Sequence, residues 1–184
     1  MTTVFISGSI TIKKLHPLVI ERIRKIVNQR LNIVVGDANG VDSSIQNELF
    51  KLGCQNVTVY CSSPKPRNNL GGWDINTVKT DYASGTRAFF TVKDIQMAKD
   101  ADCGLMIWDS KSTGTLKNVI ELLALNKKSV VFVNKLKEFF VIKSMNDLES
   151  LISQMSDSAL AKAEDKINLS NELNRIQYNQ IALI

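Results

Sequence analysis

Three short glycine turns each follow an apolar, strand-like run, and each carries residue types able to hold an anion. They are Ser7-Gly8-Ser9 after Val4-Phe5-Ile6, Gly36-Asp37-Ala38-Asn39-Gly40-Val41-Asp42 after Ile33-Val34-Val35, and Ser112-Thr113-Gly114-Thr115 shortly after Leu105-Met106-Ile107-Trp108. Each leads into a stretch with helical potential. A glycine turn that opens a helix offers free backbone N–H groups and the positive end of the helix dipole, which suits phosphate. Three such turns in one short chain point to a nucleotide or nucleotide-derived small molecule. Ser112, Thr113, Gly114 and Thr115 make the best phosphate cradle, with charge added by Lys111, and Ser7, Gly8 and Ser9 offer a second contact. In the middle turn Gly36 and Gly40 let a ligand approach the backbone closely, and Asp37 lies between them. Asp42 reads either as a helix N-cap or as a carboxylate that binds a ribose hydroxyl or performs catalysis.

Two further groups stand outside the turns. Pro66 to Gly71 contains Arg67, whose planar fork suits phosphate, and Asn68 and Asn69, whose amides suit a base or ribose. Trp73 nearby reads as a base-stacking surface or an oligomer contact. Lys93-Asp94 reads as a surface charge pair or as a cleft pair in which Asp94 acts on a sugar carbon or water. The bland alternatives are a capped helix without ligand at 112–115 and a plain polar loop at 66–71.

The elements that must position these residues alternate. Strand-like runs at 3–7, 31–35, 56–61, 104–108 and 129–133 are nearly continuous in apolar residues, and 138–142 reads as a short edge strand. Helical periodicity occupies 15–27, 42–52, 90–100, 116–125 and 147–155. Such alternation predicts an α/β fold: a Rossmann-like, doubly wound, mostly parallel sheet with helices on both faces. Right-handed crossovers then bring all the strand-to-helix turns to one sheet edge. Ser62 to Ala88, broken by proline and glycine, reads as a long loop. The expected division is a nucleotide-binding domain over 1–156 and a helical tail over 157–184. In the tail Leu160, Ile167, Leu173 and Ile176 share a helical face that packs on its own subunit or on a neighbour, so a homo-oligomer is expected.

Composition narrows the classes. The 184 residues are 44% apolar, enough for a core, and carry a net charge of +5. The pI near 9.1 suits phosphate-bearing ligands. The basic residues are dispersed, so nucleic acid is a lesser partner than a small molecule. No run approaches the roughly 20 apolar residues of a membrane span, and no signal peptide is evident, so a cytoplasmic setting and no membrane partner are expected. Cys54, Cys61 and Cys103 are scattered, and His16 is the only histidine, so no metal and no resident cofactor are expected.

Together the turns resemble the SLOG superfamily, Rossmann-like proteins that include the cytokinin-activating LOG phosphoribohydrolases and the DNA-processing protein DprA. The resemblance covers about residues 3–135 and is nearest to the YspA-related small proteins. It rests on Gly8-Ser9, Gly36 to Asp42, Arg67-Asn68 and Thr113-Gly114-Thr115. It implies a ligand-binding or sensing domain. The alternatives are an N-glycoside hydrolase or transferase acting on a nucleotide, with Asp42 or Asp94 as the carboxylate, and a DNA-processing accessory. The chain departs from the LOG pattern. Asn118 stands where those enzymes carry a catalytic glutamate, Lys93 stands at the arginine position, and Ile10 follows the first Gly-Ser. Glu121, one helical turn from Asn118, is the remaining carboxylate that could substitute.

Overall fold

The computed structural model describes residues 1–181. Its sheet contains β1 (Thr3–Gly8), β2 (Asn32–Gly36), β3 (Val57–Cys61), β4 (Asp74–Thr77), β5 (Cys103–Trp108), β6 (Ser129–Val133) and β7 (Glu138–Ile142), ordered β4-β3-β2-β1-β5-β6-β7. Every pairing is parallel except that of β7 with β6. The helices are α1 (Pro17–Asn28), α2 (Val41–Lys51), α3 (Arg87–Asp100), α4 (Thr113–Ala124), α5 (Met145–Ile152), α6 (Asp157–Ile167) and α7 (Leu169–Ile181). This is the expected Rossmann-like architecture.

The near-continuous apolar strands are buried on both faces because helices cover both. Successive strand residues point to opposite sides. Phe5 and Met106 enter a core with Met97, Leu116 and Leu148 from α3, α4 and α5. Ile6 and Ile107 enter the other core, with Val19 and Ile23 of α1 and Ile45 of α2. The chain winds outward from β1 through β4, then returns to β1's other side at β5. The sheet therefore has its topological switch point between β1 and β5, where open α/β sheets form a crevice at the strand C-terminal ends.

Two segments differ from expectation. The loop over 62–88 contains the edge strand β4, paired with β3, and ends early because Thr86 caps α3 through its side chain. β4 is Asp-Ile-Asn-Thr and mostly exposed, so it has no apolar run to betray it. Trp73 is buried and donates its Nε1–H to the Cys54 carbonyl at 2.8 Å. It belongs to the core and is not available to stack on a base.

The C-terminal segment forms two helices, divided by Asn168 in the left-handed region at φ 52°. Ala159, Ala163, Leu169 and Ile176 bury in the α4 core of the same chain. An ion network of Lys117, Glu121, Glu172 and Arg175 fastens α7 to α4, with Lys117–Glu121 at 2.8 Å and Arg175–Glu121 at 3.1 Å. Residues 182–184 of the expected tail lie outside the described residues. No helix of the described residues is long and apolar enough to cross a membrane.

Candidate functional site

At the switch point the turns after β1 and β5 lock together. The Ser9 amide donates to the Ile107 carbonyl at 2.9 Å, and the Ser9 hydroxyl accepts from the Asp109 amide at 3.1 Å. Asp109, just past the end of β5, accepts from Thr11 Oγ1 at 2.7 Å and from the amides of Lys111 and Ser112 at 2.9 and 2.6 Å. Burial alone would raise the Asp109 pKa, but these hydrogen bonds hold it below the usual carboxylate range. An internal carboxylate therefore already occupies the first amides of this turn. The Ser112 hydroxyl caps α4 by accepting from the Thr115 amide and from Thr115 Oγ1.

The next two amides, of Thr113 and Gly114, are first-turn groups that a helix leaves without an internal acceptor. Arg87 reaches over from α3, donating from Nη2 to Thr113 Oγ1 at 2.9 Å. Gly114 is exposed, and a Cβ placed on it would meet nothing within 4 Å. Its glycine leaves open space directly above free amides at a helix N-terminus.

The turn after β2 is built in the opposite way. A Cβ on Gly36 would collide with the Asp42 carboxylate and lie 2.8 Å from Lys93 Nζ. A Cβ on Gly40, at φ 82°, would collide with the Ile10 backbone. A Cβ on Gly8 would collide with the Ile107 carbonyl oxygen. These glycines make room for protein. Asp42 lies in the first turn of α2, where Gly40 is the N-cap, and accepts from Ser7 Oγ at 3.0 Å. It is 4% exposed. Burial pushes its pKa up to about 6; nearby Asp94 adds to the rise, while Lys93, Ser7 and the Ala38 amide oppose it.

Lys93, 3% exposed, stands among three carboxylates. Its Nζ is 2.8 Å from Asp94 Oδ1 and 3.9 Å from Asp37 Oδ1. Desolvation alone would lower its pKa, but Asp94, Asp42 and Asp37 raise it, so the ammonium is held charged. Asp37 is clasped by Arg67 through Nε at 3.0 Å and Nη2 at 2.8 Å, which holds its carboxyl below the usual range against the effect of burial. Arg67 also lies over the Phe90 ring at 4.5 Å. Asn68 donates to the Asp37 carbonyl and to Asn39, and Asn69 brackets Trp73. The two asparagines therefore brace loops.

A branched cleft opens above this cluster. Its deep chamber, about 150 Å³, has Ser7, Asp42, Lys93 and Asn118 in its walls. An outer chamber of about 530 Å³ runs past Asp109, Lys111 and Arg87. A side chamber of about 280 Å³ is lined by Ala88, Val92, Ile95 and Ile167, with Tyr82 at its rim. All three chambers share Asp94 and Gly114. The structure thus brings Ser7, Gly8, Asp42, Arg67, Asp94, Ser112, Gly114 and Thr115 to the deep chamber and Thr113 to the outer one. Ser9, Gly36, Asp37, Gly40 and Asn68 line none of these chambers and serve as its frame. Asn118 is 4% exposed, and its amide makes no hydrogen bond with another described residue while facing the deep and side chambers. Glu121 is bound to Lys117 and Arg175 and lies outside the cleft walls. Arg87 and the α6 lysines carry no local signature that marks them. An acidic residue directly after a switch-point strand was the only available sign of Asp109.

No family model matches the sequence, and no curated protein matches it. Among solved structures the chain is similar to DNA processing protein A from Helicobacter pylori, at 17% identity and a TM-score of 0.54, over 97% of this chain and 81% of that one. The likeness is one of fold, and it agrees with the Rossmann-like core of the SLOG resemblance. That protein binds single-stranded DNA.

Proposed function

We propose that this chain binds a nucleotide or nucleotide-derived small molecule at the β1/β5 switch point, as a SLOG-type ligand-binding or sensing domain related to the YspA branch. The observation that carries this reading is Gly114, with open space above unpartnered first-turn amides and Arg87 alongside. A phosphate sits there. The apolar side chamber takes the base, with Tyr82 at its edge, and the sugar lies between Asp94 and Asn118, where the deep and side chambers meet. This modifies the sequence expectation: of the Gly36–Asp42 turn only Ala38 and Asp42 reach the chamber wall, while Gly36, Asp37, Gly40 and Asn68 support the ligand through Lys93 and Arg67.

One observation favours a second reading, cleavage of an N-glycosidic bond. Asp42, with a pKa near 6 on the chamber wall, is poised to exchange a proton near neutrality, and Asp94 faces the same space. In this reading protonated Asp42 gives its proton to the departing base as water adds to the sugar carbon, and the proton that the water releases returns to Asp42. Asn118 in place of a carboxylate weighs against the LOG mechanism, since an amide accepts no proton. A strand-binding role, as in the structural neighbour, is a third possibility that the same experiment separates.

The deciding experiment is to denature purified protein, identify any released small molecule by mass spectrometry, and incubate fresh protein with a nucleotide panel. A nucleotide retained or bound and recovered intact supports a binding domain. Free base with ribose phosphate establishes the glycosidase. Binding of single-stranded oligonucleotides alone, with no nucleotide bound, overturns both.

A further inference from the structure

The outer chamber has a charge that the first phosphate does not explain. Its walls carry four cationic side chains, Arg87, Lys111, Lys162 and Lys166, and two carboxylates, Asp94 and Asp109. Both carboxylates are already engaged, Asp94 by buried Lys93 and Asp109 by the turn amides and Thr11. Among the described residues Arg87, Lys111 and Lys162 have no carboxylate within ion-pair distance, and Lys166 has only exposed Asp165 next to it in sequence. Lys162 and Lys166 come from α6. Their spacing of four places them on one stripe of that helix, while Ala159 and Ala163, spaced alike, bury against the α4 core. Small alanines allow α6 to sit close to α4, and this brings the lysine stripe over the N-terminus of α4. The C-terminal segment therefore forms part of the cleft wall in the same chain.

We propose that the outer chamber is a second anion subsite, and that the ligand is a nucleotide whose phosphate chain continues beyond the group at Gly114. The chemical class is a nucleoside diphosphate or a pyrophosphate-linked dinucleotide. The inference rests on the nucleotide reading above and specifies its ligand. One phosphate binds the Thr113 and Gly114 amides, and the next lies among Arg87, Lys111 and the α6 lysines. A single phosphate beside Arg87 would leave Lys111, Lys162 and Lys166 unneutralised around a chamber more than three times the volume of the deep one.

The test is calorimetric titration of the full chain and its Lys162→Gln variant with nucleoside mono- and diphosphates of the four common bases and with a ten-residue oligothymidylate. Lys162 lines the outer chamber alone and is exposed, so the variant keeps the wild-type melting temperature. The wild type is expected to prefer a diphosphate over its monophosphate by ~10-fold or more. The variant should erase that preference while holding monophosphate affinity within about twofold. If nucleotides bind with no diphosphate preference, or if the variant weakens both ligands equally, the second subsite is wrong and the first stands. If no nucleotide binds to the wild type, the nucleotide reading fails and takes the subsite with it. Oligothymidylate binding that depends on Lys162, without nucleotide binding, reassigns the basic wall to a nucleic-acid strand and overturns the proposal.

Discussion

The turns after β2 and β5 look alike as sequence, each a glycine between polar residues at the start of a helix, yet they are opposites as structures. Around Gly36 and Gly40 the space a side chain would need is filled by Asp42, Lys93 and the Ile10 backbone. Above Gly114 it is empty. The first turn has internalised its charges: Arg67 and Lys93 pair with Asp37, Lys93 pairs with Asp94, and Asp42 is buried beside them with Ser7 as its donor. The second has done so only halfway. Asp109 takes the Lys111 and Ser112 amides, and the Thr113 and Gly114 amides stay open. A glycine can be required because protein fills the space above it or because something else must. Only the surroundings distinguish the two cases.

The sharpest way to break the filled turn is to remove its central cation. Lys93→Met keeps the length and the apolar stem but leaves three carboxylates facing a single guanidinium. The expected loss is about 3–5 kcal/mol of unfolding free energy at neutral pH, measurable by urea denaturation. Part of that loss should return near pH 5, where Asp42 takes up a proton. A variant as stable as wild type at pH 7 would show that the cluster is solvated.

Asp42 itself gives the next effect. Its folded pKa of about 6 lies above the ordinary value of 3.8. The native state therefore binds the proton more tightly than the unfolded chain. Its contribution to stability is full below about pH 3.8 and is lost as pH rises through about 6. Asp42→Asn removes this ramp, so its stability relative to wild type should rise between pH 4 and 7, by on the order of 3 kcal/mol at most. Parallel melting curves of the two proteins across that range would contradict it. Under the glycosidase reading the same variant also loses the limb near pH 6 from its rate profile.

Gly40→Ala tests the backbone side of the same turn. A φ of 82° disfavours any side chain, and the Ile10 backbone cannot move aside as a side-chain tip could. A loss of about 2–3 kcal/mol is expected, read by chemical denaturation, and a neutral result would show that the β1 and β2 turns are not in contact.

How much of this was legible beforehand follows from the same contrast. Strands such as Ile33 to Val35 and Leu105 to Trp108 announce themselves because both of their faces are buried, so every residue is apolar. β4 did not, because one edge strand with an exposed Asp-Ile-Asn-Thr run needs only backbone pairing to β3. Trp73 looked like a loop residue until the loop folded back over Cys54. At the site, the turn residues were readable because turn chemistry is local. The partners of Lys93 are not, since Asp37 comes from the end of β2, Asp42 from α2 and the lysine itself from α3. The α6 lysines were hidden for a further reason. The 157–184 segment carries three basic and four acidic residues, which reads as a balanced tail, and only its packing on α4 sorts two of the lysines onto one wall.

The open turn is probed by two substitutions at one position. Gly114→Val fills the space over the free amides and should weaken nucleotide binding by ~100-fold, equivalent to about 2.7 kcal/mol, with the fold intact because nothing lies within 4 Å of the new Cβ. Unchanged affinity would remove the phosphate from this turn.

The smallest effect is the most discriminating. Gly114 sits in the first turn of α4 with no left-handed φ to justify it. Alanine there lowers the entropy of the unfolded chain and favours the helix, so Gly114→Ala should raise stability by about 0.5–1 kcal/mol. Neither folding nor packing then explains the glycine. If the space serves a ligand, the same methyl should cut nucleotide affinity while the protein becomes more stable, two readouts moving in opposite directions. A stabilised protein with full affinity would mean that the methyl group and the phosphate do not compete, and the two turns would then differ in packing alone.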